Sequence, residues 1–265
     1  MALEIMRDPR LHQVEWRDLC TLTRKDLVSE LFISVPWLVG SLTLAYYEQW
    51  IFALGASFMF FLCGLRQVHN AFHYAIGLTR KSHEWFMFFL SIVMLGSMHA
   101  VQYNHLRHHK HCMDDDDIEA ASARMVWWRA LMFGPKFPWV LHKAALQKGS
   151  KRVKNWVIAE LIANVIWVAL VFFVFDSTIL MYHVIVMAVA QNMTAFFAVW
   201  TVHHDCDRSY FIARTIRQRA KSIITYNMFF HVEHHLFPTV PTRNLSILAE
   251  RLDVVAPELR QKLVF

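Results

Sequence analysis

Eight histidines fall into three clusters whose spacing sets the chemistry open to this chain. In His231-Val232-Glu233-His234-His235, three imidazoles stand at i, i+3 and i+4, which is one face of a helix. His105, His108 and His109 repeat that spacing, and His69 and His73 stand at i, i+4. Neutral imidazole is the commonest side-chain metal ligand and suits iron, zinc and copper. One ion takes about four to six ligands, so eight imply two ions. A metal-free cluster would repel itself on protonation and leave donors and acceptors in need of partners. Polar helix ends meeting lipid headgroups are the plainer explanation, but they do not account for spacing that repeats. No H-E-x-x-H occurs, which disfavours a mononuclear zinc protease. The shortage of carboxylates in the clusters separates the chain from soluble Glu/His di-iron bundles. His12, His83, His142 and His183 are isolated and take no role. His99 and His111 adjoin the second cluster without an assigned one.

The elements that must carry these clusters are apolar helices. The chain has 265 residues, 56% of them apolar, with 21 Phe and 10 Trp but only 7 Gly and 7 Pro. That composition favours long helices over loop-rich β structure. Spans are expected at about 27–47, 50–68, 156–175 and 179–200, each near the ~20 residues that cross a hydrocarbon core. A further apolar stretch, about 84–101, separates the first two clusters. It must be re-entrant or interfacial, because a full crossing would put those clusters on opposite sides. The turns at Tyr46–Gln49 and Asp176–Thr178 carry no cation, whereas Arg and Lys crowd residues 1–26, 102–154 and 201–265. The excess of cations on one side makes both termini and every cluster cytoplasmic. Cys20, Cys63, Cys112 and Cys206 are scattered, so neither a disulfide framework nor a zinc ribbon is expected. The charged leader lacks the apolar core of a cleaved signal peptide. A single integral-membrane domain, 1–265, is the resulting expectation, all-α, with four transmembrane helices under a helical cap.

The combination H-x3-H, H-x2-H-H and H-x2-H-H resembles the membrane fatty acid desaturase and hydroxylase superfamily. The run from His231 through Leu236-Phe237-Pro238 to Pro241 is similar to the third histidine box of acyl-lipid and acyl-CoA desaturases. The resemblance covers about Leu27 to Leu252. It implies four spans, a cytoplasmic cap, a histidine-ligated non-haem di-iron site, O2 as co-substrate and an external electron donor of ferredoxin, rubredoxin or cytochrome b5 type. His69, His73, His105, His108, His109, His231, His234 and His235 are the metal ligands it implies. A further ligand is expected after the last span, at His204 in preference to His203. Asn70 stands where some relatives carry an acid, which alters hydrogen bonding around the first cluster.

Glu233 and Asp205, inside ligand clusters, are expected to orient imidazoles, and Asn227 shares the helical face of His231. Among Asp114–Asp117 and Glu119, one acid is an alternative orienting group, although the run reads first as a solvated face. The expected reaction inserts a double bond into a fatty-acyl chain in the membrane. A hydroxylase or ketolase acting on carotenoid or another lipid is the alternative, and a histidine-rich metal transporter or zinc lipid hydrolase is more remote. No nucleic-acid partner is expected. The compact cap leans towards a bacterial inner membrane.

Overall fold

The computed structural model describes residues 4–265, so the first three residues of the charged leader lie outside it. Among the described residues the fold is all-helical, and one isolated bridge, Thr215 with Leu263, is the sole β pairing. Thr23 opens the helical part with a capping box: its hydroxyl accepts from the Asp26 N–H at 3.2 Å, and Asp26 accepts from the Thr23 N–H at 3.1 Å. Helices α1 (Arg24–Phe32) and α2 (Val35–Tyr46) together make the first apolar span. Pro36 sits in the first turn of α2, where its missing N–H costs nothing. Helix α3 (Trp50–Phe72) is the second span.

The apolar stretch 84–101 is not one helix but falls on two, the second of which carries the second cluster. α4 (Arg80–Met94) and α5 (Met98–His111) meet at 113°. Leu95 ends α4 in the left-handed region (φ 54°), and the Ser97 side chain caps α5 by accepting from the Ala100 N–H at 3.1 Å. The bend brings the first two clusters together, with the His73 and His105 rings 5.0 Å apart.

Two amphipathic helices follow, α6 (Trp127–Phe133) and α7 (Lys136–Lys148). The third span is α8 (Lys151–Leu170), closed by a π-helical turn at Val171–Phe175. The fourth runs from α9 (Thr178–Thr194) through a π-helical segment, Ala195–Trp200, into α10 (Thr201–His203). Four helices of this length and hydropathy are those of an integral membrane protein. Histidines follow the apolar runs of the second and fourth spans, with His69 near the end of α3 and His203 at the end of α10. Three short helices complete the chain: α11 (Arg219–Ile224), α12 (His231–Leu236) and α13 (Leu245–Val255).

The apolar cores are separate. Phe60, Val68, Phe72, Met87, Met94 and Met187 pack among the spans. Ile212, Ile216, Val232, Leu245, Leu248 and Leu252 pack within the cap, which also buries Ile5 from the leader. At the elbow between α6 and α7 the backbones touch, and a Cβ on Gly134 would stand 1.8 Å from the Asn192 carbonyl oxygen. Only glycine fits there. All four cysteines are free thiols.

Candidate metal centre

Nine imidazoles converge beneath the cap, brought together by four elements. The end of α3 brings His69 and His73, α5 brings His105, His108 and His109, α10 brings His203, and α12 brings His231, His234 and His235. They sort into two groups. In one, ring nitrogens of His69, His73, His105 and His234 all lie within 4.8 Å of one another. His109 joins it, its Nε2 standing 3.2 Å from His105 Nε2 and 2.9 Å from His234 Nε2. The other comprises His108, His203, His231 and His235, gathered within the same limit and all buried.

The outer nitrogens are held by acceptors. His108 Nδ1 donates to Asp117 at 2.7 Å, His105 Nδ1 to Glu119 at 2.8 Å, and His203 Nδ1 to the Ile212 carbonyl at 2.9 Å. Each bond sets the tautomer and turns Nε2, with its lone pair, inwards. Those lone pairs then face one another: His203 Nε2 is 3.1 Å from His108 Nε2 and 3.0 Å from His231 Nε2. Neutral acceptors at that separation repel unless a cation lies among them. His69 Nε2 and His73 Nε2 are buried without any hydrogen-bond partner, a costly arrangement unless something else fills the role. Two all-nitrogen groups, with His105, His108 and His203 anchored from behind and His69 and His73 unpartnered, fit two metal ions of the kind imidazole suits.

Electrostatics agree with ligation for most of these imidazoles; at His108 burial favours the neutral form, but the bond to Asp117 outweighs it and raises this one histidine. Burial holds His73 down to about 4, and burial followed by the neighbouring imidazoles holds His231, His234 and His235 well below the usual histidine range. They are therefore neutral, as ligands must be. Burial works against the Asp117 carboxylate, yet the bonds from His108 and from the Ala120 and Met113 N–H groups keep it below its ordinary value. Glu119 is the opposite case: burial pushes it up to about 8, and its Oε2 is unpartnered.

An extended segment, 212–217, knits the ligand-bearing elements together. Ile212 receives His203, the Arg214 N–H donates to the Val202 carbonyl at 2.8 Å, and the Arg214 carbonyl accepts from the Val232 N–H at 3.1 Å. Asn70, between His69 and His73, accepts from the Thr242 N–H at 3.0 Å and its hydroxyl at 2.6 Å. That ties the first cluster to the loop beyond the third.

The structure separates the remaining candidates from the cluster. His203, not His204, enters it. His204 is half-buried outside, stacked on Trp200 at 3.9 Å with its Nδ1 donating to the Trp200 carbonyl at 2.8 Å. Glu233 is fully buried but faces away from the nitrogens, accepting from Thr215 Oγ1 at 2.7 Å. Asp205 is mostly exposed and pairs with Arg214 at 3.2 Å. Asn227 donates to the Arg243 carbonyl at 3.2 Å. The orienting acids are Asp117 and Glu119. The run reads as a solvated face in sequence, but its last members turn inwards while Asp115 and Asp116 stay in solvent.

A cavity of about 620 Å³ leads to the centre. His69, His105 and His231 stand in its wall, and Leu54, Phe61, Val186 and Val189 continue that wall along the spans. The lining is overwhelmingly apolar, the environment of a hydrocarbon chain rather than a polar solute.

A comparison with known families matches residues 26–264 to the family described as fatty acid desaturase. No curated protein matches the chain.

Proposed function

Because the chain belongs to the fatty acid desaturase family, we propose that it is an O2-dependent membrane desaturase acting on a fatty-acyl chain at a histidine-ligated di-iron centre. The observation that carries this reading is the junction of an apolar cavity with two groups of inward-facing imidazole nitrogens. His69, His73, His105, His109 and His234 would hold one iron, and His108, His203, His231 and His235 the other. Two irons bound there would supply, with O2, two external electrons and two protons, the oxidising power to remove two hydrogens from adjacent carbons, both oxygen atoms leaving as water. The protein's own work is positioning and exclusion. Asp117, Glu119 and the Ile212 carbonyl aim the imidazoles, and the apolar wall places the chain and keeps bulk water out.

The reading includes an external donor of ferredoxin, rubredoxin or cytochrome b5 type. It also places the centre and both termini on the cytoplasmic side, in a bacterial inner membrane. The cations of residues 102–154 and 201–265 support that orientation.

The test compares total lipids of a host expressing the protein with those of a host expressing His234→Ala. An acyl species lighter by about 2 Da, present only with the intact cluster, is the expected result. A species heavier by about 16 Da would make the protein a hydroxylase on the same centre. Unchanged acyl lipids would overturn the fatty-acyl assignment, and zinc in place of iron in the purified protein would overturn the O2 chemistry.

A further inference from the structure

The stretch from Asp117 through the short turn Glu119–Arg124 touches both groups of histidines, and its third contact has no counterpart in ligation. Asp117, just before the turn, holds His108, and Glu119 holds His105. Ser122, fully buried, donates from its hydroxyl to the Ala195 carbonyl at 2.8 Å. Ala195 is the first residue of the π-helical segment in the fourth span. The last residue of that segment is held from the same side, since the Trp200 indole N–H donates to the Met125 carbonyl at 2.8 Å. The four residues from Ser122 to Met125 therefore bracket the π segment at both ends.

A π segment is a local change of helical phase. Within the segment the carbonyls turn to donors one residue further along, as Phe196 does to the Thr201 N–H, and side-chain hydroxyls add to this: Ser122 donates to Ala195, and Thr201 Oγ1 to Phe196 at 3.0 Å. Phase matters because adjacent histidines follow at once. His203 points into the cluster, and His204 lies flat on Trp200.

We propose that Ser122 is a positioning residue which, through the Ala195 carbonyl, sets the phase of the fourth span and so selects His203 over His204 for the second nitrogen group. The stretch 117–125 acts as a jig that registers α5 against α10. It rests on the metal-centre reading above, and its failure can be told apart from failure of that reading.

The experiment uses the full chain in detergent micelles, loaded with ferrous iron. Iron per chain, the Mössbauer spectrum and the melting curve are recorded for the unaltered protein, Ser122→Ala, Ser122→Thr, His203→Ala and His204→Ala. Ser122→Ala is expected to lower affinity at one of the two iron positions by about 10–100-fold, as other losses around ligands do. The other position should keep its spectrum. Ser122→Thr, which keeps the hydroxyl, should restore both, His204→Ala should match the unaltered protein, and His203→Ala should share the Ser122→Ala defect. Two irons with an unchanged spectrum in Ser122→Ala would overturn the proposal, as would iron loss in His204→Ala but not in His203→Ala. If Ser122→Ala does not fold, Ser122→Cys, with a weaker donor of similar size, replaces it: selective loss at one position supports the proposal and undiminished binding overturns it. An unaltered protein that takes up no iron would instead overturn the metal-centre reading itself.

Discussion

Arg217 Nη2 reaches the Glu233 carboxylate at 2.7 Å, on the back of the helix whose front carries His231, His234 and His235. The same guanidinium pairs with Asp253 of α13 at 2.8 Å. Burial pushes Glu233 up, and the Arg217 charge opposes that push. The pair thus clamps the third cluster to the cap from behind, and Glu233 acts on the cap rather than on the imidazoles.

Removing one partner of a buried pair leaves the other charge uncompensated. Arg217→Ala should therefore cost about 3–5 kcal/mol. Glu233→Gln, which keeps the contact with Thr215, should cost less. Thermal melts of the two variants check the order; an Arg217→Ala variant as stable as the unaltered protein would refute the clamp.

The buried imidazoles make metal-free protein sensitive to mild acid. His73 is held down to about 4, and His231, His234 and His235 lie well below the usual range, whereas in the unfolded chain all four titrate near ~6.5. Between those limits the unfolded state binds more protons, so stability falls as pH falls. The loss begins below about 6.5 and amounts to at most about 1.4 kcal/mol per pH unit for each such histidine. Melting curves of chelator-treated protein between pH 7.5 and 5 should show this slope, and iron-loaded protein should show less of it.

Asp117 fixes the His108 tautomer through a 2.7 Å bond. In Asp117→Asn the side-chain amide can donate to Nδ1, which would favour the tautomer with its proton facing the cluster. Iron affinity should drop by about 10–100-fold with little change in helix content. Iron titration followed by circular dichroism would decide.

Gly134 meets the Asn192 carbonyl so closely that an added methyl group needs the α6–α7 elbow to move. Gly134→Ala should destabilise the protein by about 1–3 kcal/mol as overpacking. Because α7 contributes Phe137 and Leu141 to the cavity wall, product distribution should shift as well, which lipid mass spectrometry would read.

What the sequence determined by itself is everything carried by local period and composition. Apolar runs of span length imply membrane helices wherever they occur, and i, i+3, i+4 histidines share a helix face in any tertiary setting. Hence the four apolar helices and the three clusters were legible without coordinates. Tertiary structure decided what depends on helix phase and on chain segments far apart. The choice between His203 and His204 turns on the π segment at Ala195–Trp200, which no residue count across a regular helix anticipates. The choice of Asp117 and Glu119 over Glu233 and Asp205 as orienting acids depends on which face of each segment the cap covers. Glu233, next to His234 in sequence, points away because neighbours along a helix are about 100° apart. Asp117 and His108, nine positions apart, meet because the chain folds back after α5.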